Sequence, residues 1–237
     1  MKHLPKILVN FAMTADGKVS TRNGTPSNFT SQADKRRLSE IRAMGDALLV
    51  GRNTVASDSM SMGLSPADLR DKRVAAGKAA VPLRVIVSET GKFDPGWRVF
   101  SNSDSPLVLC SAQKIPESLA NKFPDFVQIV QFPRGKSLIA RLLKLLHRRW
   151  GVKQIVCEGG ATLFKSLLND DLVDDLYITI APVIFGGGKS ISLSGLPLGF
   201  LPHEHRFRLK SLETHGGEAF LHYLRDRRPP PNLKDSK

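Results

Sequence analysis

The chain has 237 residues, 41% of them hydrophobic and 24% charged. That length buries a full core in one domain, and no apolar run approaches the roughly 20 residues of a membrane-crossing helix, so an integral helical membrane protein is excluded. A formal net charge of +13 asks for an anionic partner, either a phosphorylated small molecule or a nucleic acid. Aromatics make up only 7% and are not interleaved with the basic runs, which argues against the stacking platforms of nucleic-acid binders.

In chain order, "MKHLPKILVNFAM" lacks a small-residue cleavage site and reads as a first strand, not a signal peptide. Asp16-Gly17 is a turn pair. "NFT" at Asn28 matches a glycosylation sequon, which carries no weight without secretion. "SQADKRRLSEIRAMG" is a helix with Ser31 as N-cap and Asp34 in its first turn. "DALLVG" is a strand ending at Gly51, with a short helix after it that Asp58 is placed to cap. Residues 59–81 show no clean period, and a loop of that size is disordered or functional. "LRVIVS", "PLVLCS" and "FVQIVQF" are short strands. A leucine-rich helix from Ser137 puts Arg141, Lys144 and Arg148 on its solvated face. "VKQIVCEGG" is strand then turn, "ATLFKSLLNDD" a helix and "DDLYITIAP" a strand. The chain then forms a hairpin through Gly216-Gly217.

This alternation predicts an α/β fold with a mixed sheet flanked by helices and an antiparallel C-terminal hairpin. It forms a single domain over 1–225, followed by a basic, proline-rich tail over 226–237 that reads as disordered. Cys110 and Cys157 sit in apolar strand-like runs and read as buried free thiols, which points to a cytoplasmic protein.

The candidate site is "EGGATLF". A strand ending in glycines and turning into a helix presents free N–H groups and the positive end of the helix dipole, a cradle for a pyrophosphate. Thr162 adds a hydroxyl. Glu158 sits at the carboxyl edge of its strand, where open α/β sheets bind ligands, or else acts as a structural carboxylate on nearby amides. No G-x-G-x-x-G opens a helix. "FGGGKS" lacks the first P-loop glycine, because Val183 stands there. The six histidines, His3, His147, His203, His205, His215 and His222, show no metal-ligand spacing, and no metal is expected.

"AMTADGK", "DALLVGRNTVASD", "EGGATLF" and "LVDDLYITIAPVIFGGGK" occur in an order that resembles the reductase domain of riboflavin biosynthesis. That domain is the C-terminal half of a bifunctional deaminase-reductase, is also found alone, and has a dihydrofolate-reductase-like fold. The resemblance covers about residues 6–225. It implies NADPH-dependent reduction of a ribosylaminopyrimidine 5′-phosphate to its ribitylamino product, in a homodimer. It places the cofactor on Gly160, Ala161, Thr162, Leu163, Phe164 and Lys165, with Gly51, Thr54 and Asp58 bordering it, Ser88 near the adenosine and Met13 by the nicotinamide. It places the substrate against Glu158, Ser27 or Asn28 and Met62, with Arg42 on its phosphate. Asp58 and Glu158 are the groups that would steer protons.

Two departures stand out. "SDSMSMGLSP" lacks the family's second phosphate-binding arginine, for which Arg70 or Arg73 is the candidate replacement, and Phe29 replaces the usual tryptophan. The zinc motif of the deaminase half is absent. The resemblance leaves open whether the pyrimidine arrives before or after deamination, and NADPH over NADH. A reductase of the same fold acting on a pterin or another carbonyl or imine is the alternative.

Overall fold

A computed structural model describes residues 4–21, 29–133, 138–187, 191–195, 201 and 203–227. The elements are β1 (Lys6–Thr14), α1 (Gln32–Met44), β2 (Ala47–Gly51), α2 (Arg52–Asp58), α3 (Ala67–Ala75), β3 (Leu83–Ser88), a 3-10 turn (Arg98–Ser101), β4 (Leu107–Ser111), α4 (Glu117–Ala120), β5 (Val127–Gln131), α5 (Leu138–Trp150), β6 (Gln154–Cys157), α6 (Ala161–Asn169), β7 (Asp175–Ala181), β8 (Phe207–His215) and β9 (Glu218–Arg225). Ser27, Asn28 of the sequon, Ser137 and tail residues 228–237 lie outside the described residues.

Among the described residues, nine strands form one sheet in the order β5-β4-β3-β2-β6-β1-β7-β9-β8. β1 to β7 are mutually parallel. β9 and β8 finish one side antiparallel, turning at Gly216 and Gly217, both with positive φ. The mixed α/β sheet with a C-terminal hairpin is therefore as expected from the sequence. Strand periodicity divides the core into two layers. Ile7, Val9, Ala47 and Leu49 face α5 and α6, where Leu142, Leu146, Leu163 and Leu167 meet them. Leu8, Leu48 and Val50 face Ile41 of α1 and Val55 of α2. A strand covered on both faces reads as an unbroken apolar run, which is why the central strands were legible.

Cys110 of β4 and Cys157 of β6 are free and buried. Burial pushes both thiols up to about 12, so neither is a nucleophile at neutral pH. The α1 cap is also as read: Ser31 Oγ accepts from the Asp34 N–H at 3.2 Å. Ser31 in turn donates its N–H and hydroxyl to the buried Glu218 carboxylate, at 2.8 and 2.5 Å. The start of β9 thereby holds the start of α1.

The 59–81 stretch differs from expectation, because it contains α3. Leu64, Leu69 and Val81 form a small core of their own. Arg73, on the inward face of α3, is 4% exposed and donates to the carbonyls of Ala43, Gly45 and Ala79 at 2.8, 2.5 and 2.8 Å. An arginine in a core position hides the apolar period of the helix. It also removes Arg73 as a phosphate ligand, since its guanidinium clamps α3 to the end of α1. Arg73→Ala should therefore destabilise the fold by about 3 kcal/mol, the scale of charge-assisted bonds lost with three carbonyls left unpaired. Urea unfolding gives the value, and a loss below about 1 kcal/mol would contradict the clamp.

Candidate active site

The strands β3, β2, β6 and β1 are neighbours, and their carboxyl ends open onto two cavities. The first, about 480 Å³, is walled by Gly51–Thr54, the β3 exit Val87–Thr90 and the α6 residues Gly160, Thr162 and Leu163. The second, about 790 Å³, is walled by β1 (Phe11, Ala12), α1 (Asp34, Leu38, Arg42), the end of α2 with Asp58 and Met60, and by Glu158, Ala161 and Lys165. Asn53, Thr54, Gly160 and Thr162 line both, so the cavities meet at the start of α6.

The junction is built from glycines for geometric reasons. Gly159 has φ +101°, a conformation that disfavours any side chain, and its carbonyl accepts from the Gly51 N–H at 2.9 Å. A Cβ on Gly160 would lie 2.7 Å from Thr54 Oγ1. Gly160 is the N-cap of α6 and offers no side chain to its first N–H groups. A nine-residue helix thus points uncapped N–H groups at the boundary of two cavities, with Thr54 and Thr162 hydroxyls beside them. This arrangement suits an anion that crosses the boundary.

Arg42 and Glu158 are brought together, and they bind each other. Arg42 Nε and Nη2 donate to the two Glu158 carboxylate oxygens at 2.5 and 2.6 Å, and Nη1 donates to the Gly63 carbonyl at 2.9 Å. Their side chains are 16% and 5% exposed. Burial works against the Arg42 charge, but the adjacent carboxylate outweighs it and holds the guanidinium above its ordinary pKa. The pair is a neutral, rigid element in the wall of the second cavity.

Asp58 is exposed and lines the second cavity. Desolvation by the surrounding protein raises its carboxyl above the usual value, against a Ser57 hydroxyl that donates to it at 2.5 Å. Ser88, 4% exposed, lines the first cavity, and its Oγ accepts from the Gly91 N–H at 3.1 Å. Leu163 lines only the first cavity, whereas Ala161 and Lys165 line only the second. Phe164 lines neither, being packed against the Phe11 ring at 5.2 Å between centroids. Met13 packs on the core, and Met62 is 1% exposed within it; neither reaches a cavity, while Met60 does. Phe29 lines the second cavity and meets Phe185 edge-on. Arg70 lines neither cavity.

Leu38, Asn53 and Met60 were not singled out in the sequence. Asp34, Leu38 and Arg42 recur every four residues on one face of α1, a spacing that pointed to Leu38. Nothing local marked Asn53 or Met60.

Among the described residues, one cluster has ligand atoms close enough for a metal: Asp171, His203 and His205. It lies at the opposite, amino end of β7. Arg225 bonds both Asp171 and His205, a cation occupying the atoms a metal ion would need.

Residues 5–221 match the family model described as the RibD C-terminal domain. The chain belongs to that family. Within it, the chain is 32% identical over 78% of its length to a 2,5-diamino-6-ribosylamino-4(3H)-pyrimidinone 5′-phosphate reductase of Archaeoglobus fulgidus, covering 84% of that protein. A protein of the same name from Methanothermobacter thermautotrophicus is 31% identical, over 92% of this chain and 97% of its own. A pyrimidine reductase-like protein from Corynebacterium diphtheriae shares the fold, with a TM-score of 0.83 at 23% identity over 94% of this chain and 93% of its own.

The ion pair at this candidate site makes a quantitative expectation. Glu158→Ala or Arg42→Ala alone strands a buried charge and should cost about 3–5 kcal/mol, whereas Arg42→Met with Glu158→Leu should cost less than either single change. Denaturant unfolding of the variants measures this, and additive losses would show that the two side chains are not coupled.

Proposed function

We propose that the chain is an NADPH-dependent reductase of riboflavin biosynthesis. It converts 2,5-diamino-6-ribosylamino-4(3H)-pyrimidinone 5′-phosphate to the ribitylamino product. Family membership and the two relatives of that name support the reaction. The observation that carries the cofactor is the meeting of two cavities at the uncapped start of α6, where only Gly160 leaves room. A dinucleotide fits that shape with its pyrophosphate on the junction, its adenosine in the first cavity and its nicotinamide in the second. Among the described residues of the first cavity, Arg52 is the cation available to a 2′-phosphate.

Once bound, the cofactor supplies a hydride to C1′ of the ring-opened ribosylamine, which carries a C=N bond. The remaining work falls to the chain. The α6 N–H groups, Thr54 and Thr162 fix the pyrophosphate. The Arg42–Glu158 pair gives the second cavity a wall that does not move. Asp58, accessible and with a raised pKa, supplies or steers the proton that reduction adds at nitrogen. Glu158 is committed to Arg42 and acts as a positioning residue.

A homodimer and a cytoplasmic location complete the reading. The two buried free thiols support the location. The dimer is supported by β8, whose Leu209 and Leu212 are 50% and 55% exposed. A bulge between Leu209 and Ser211 puts both leucines on one face, opposite Tyr223 and Leu221 of β9.

Gly160→Val should weaken NADPH binding about tenfold or more, roughly 1.4 kcal/mol, in a protein that still folds. Fluorescence titration measures it, and unchanged affinity would remove the pyrophosphate from the junction. Asp58→Asn should lower turnover of the pyrimidine phosphate by about a hundredfold and erase an ionisation from the pH profile of kcat. A profile identical to that of the parent would exclude Asp58 from the proton step.

A further inference from the structure

We propose that Asp34 recognises the pyrimidine ring of the substrate and selects the form that still carries its 2-amino group. The proposal rests on the reaction inferred above and assigns a specificity-determining residue to it. In the sequence Asp34 is only an acidic residue in the first turn of α1.

Asp34 is 8% exposed and lines the second cavity. Its carboxylate oxygens are not sealed in the core. Among the described residues, no group donates a hydrogen bond to them and no cation forms an ion pair with them. The usual tasks of a carboxylate at this position fall to other groups. Three residues after an N-cap serine, an acidic side chain can reach back to the N-cap N–H. Here the Ser31 N–H goes to Glu218 instead, at 2.8 Å. Arg37, the nearest cation along the helix, spends its guanidinium on the Ile178 and Leu221 carbonyls and the Thr179 hydroxyl. A favourable interaction with the helix dipole remains, but it does not require burial. Burying a carboxylate that accepts no hydrogen bond is costly. The donors missing from the fold have to come from a ligand.

The proposed substrate brings them. In a 2-amino-4(3H)-pyrimidinone the 2-amino N–H and the N3–H lie side by side and point the same way. A carboxylate accepts both at once, in the geometry of its pairing with a guanidinium. Deamination replaces the amine by a carbonyl, whose oxygen would face a carboxylate oxygen. One hydrogen bond becomes a repulsion between two acceptors, and a site built for a donor rejects the analogue that lacks it. The helix places the rest of the molecule. Asp34, Leu38 and Arg42 all line the cavity, and Asp34 and Arg42 are about 12 Å apart along the helix axis. The resemblance in sequence puts the substrate phosphate at Arg42. A ring held at Asp34 lies at the opposite end of the same helix face, with Leu38 between them and the ribosyl chain spanning the interval.

The test compares two bases that differ only at C2, 2,5,6-triamino-4(3H)-pyrimidinone and 5,6-diaminouracil, and the two ribosylamino 5′-phosphates built on them. Calorimetric titration with the bases reads ring binding without turnover, and the parent should bind the triamino base about tenfold or more tightly. Its kcat/KM should favour the 2-amino phosphate by about a hundredfold. Asp34→Asn offers an acceptor to N3–H and a donor to a 2-carbonyl, so it should reverse the base preference and raise turnover of the uracil substrate. Asp34→Ala should lose the preference without that gain. NADPH affinity should stay within about twofold of the parent in both variants, since the cofactor meets other residues. Equal affinity of the parent for the two bases would overturn the proposal, and that measurement needs no variant. A preference that survives in both variants would also overturn it, leaving Asp34 a residue of the helix start alone. An Asp34-dependent preference between the bases, in a parent protein that reduces neither phosphate, would retain the ring site and sink the reaction instead.

Discussion

The ion pair between Arg42 and Glu158 joins three pieces of chain at the site. Arg42 is in the last turn of α1, Glu158 follows β6 directly, and the Gly63 carbonyl that takes the third bond belongs to the segment leading into α3. The glycine turn next to Glu158 is held on its other side by β2, through the Gly51 N–H on the Gly159 carbonyl. The exit of β6 is therefore fixed from both neighbours. Backbone N–H groups have no side chain to adjust, so the geometry of this candidate site is only as good as the turn that presents it. A bidentate guanidinium–carboxylate pair is the most directional bond available to a side chain, and here it sits one residue from that turn.

The same residue type solves other joints in the fold. Arg37 donates to the carbonyls of Ile178 and Leu221 and to the Thr179 hydroxyl, linking α1 to β7 and β9. Arg84 is fully buried and bonds Ser105, Val99 and Ser61, at a desolvation cost that lowers its pKa to about 10. Arg73 clamps α3. Each answers backbone carbonyls that the parallel sheet and its connections leave without donors. These are cations without a carboxylate partner, and they account for part of the +13 with no anionic ligand involved. Net charge alone was a poor guide to partners for that reason.

The features legible in the sequence were those carried by local pattern. The buried strands, the Ser31 cap and the Gly216-Gly217 hairpin depend on neighbours within a few residues, and each appears where the pattern put it. The junction glycines were visible because the demand on them is a backbone demand. α3 was missed because a core arginine reads as solvent-facing. The pairing of Arg42 with Glu158 spans 116 residues of chain, and no pattern in either segment encodes it. Both were singled out separately, with roles toward ligand, because a buried charge and a ligand-facing charge look alike until the partner is seen. Met62 was misplaced for a related reason. Its positive φ turns the chain there, so that Met60 faces the cavity and Met62 the core.

Cancelling the charges of Arg42 and Glu158 leaves Asp34, Asp58 and Lys165 as the charged groups described on the wall that a substrate meets. Under the proposed reading, the substrate phosphate places two negative charges in a cavity where, among the described residues, carboxylates outnumber cations. A nearby anion disfavours the ionised form of a carboxyl, and Asp58 starts with a pKa already raised by desolvation. Binding of the phosphate therefore moves Asp58 further toward its protonated state. The group that must deliver a proton is loaded by the arrival of the molecule that needs it. A dephosphorylated substrate would lack that loading, so its disadvantage would appear in turnover as well as in affinity.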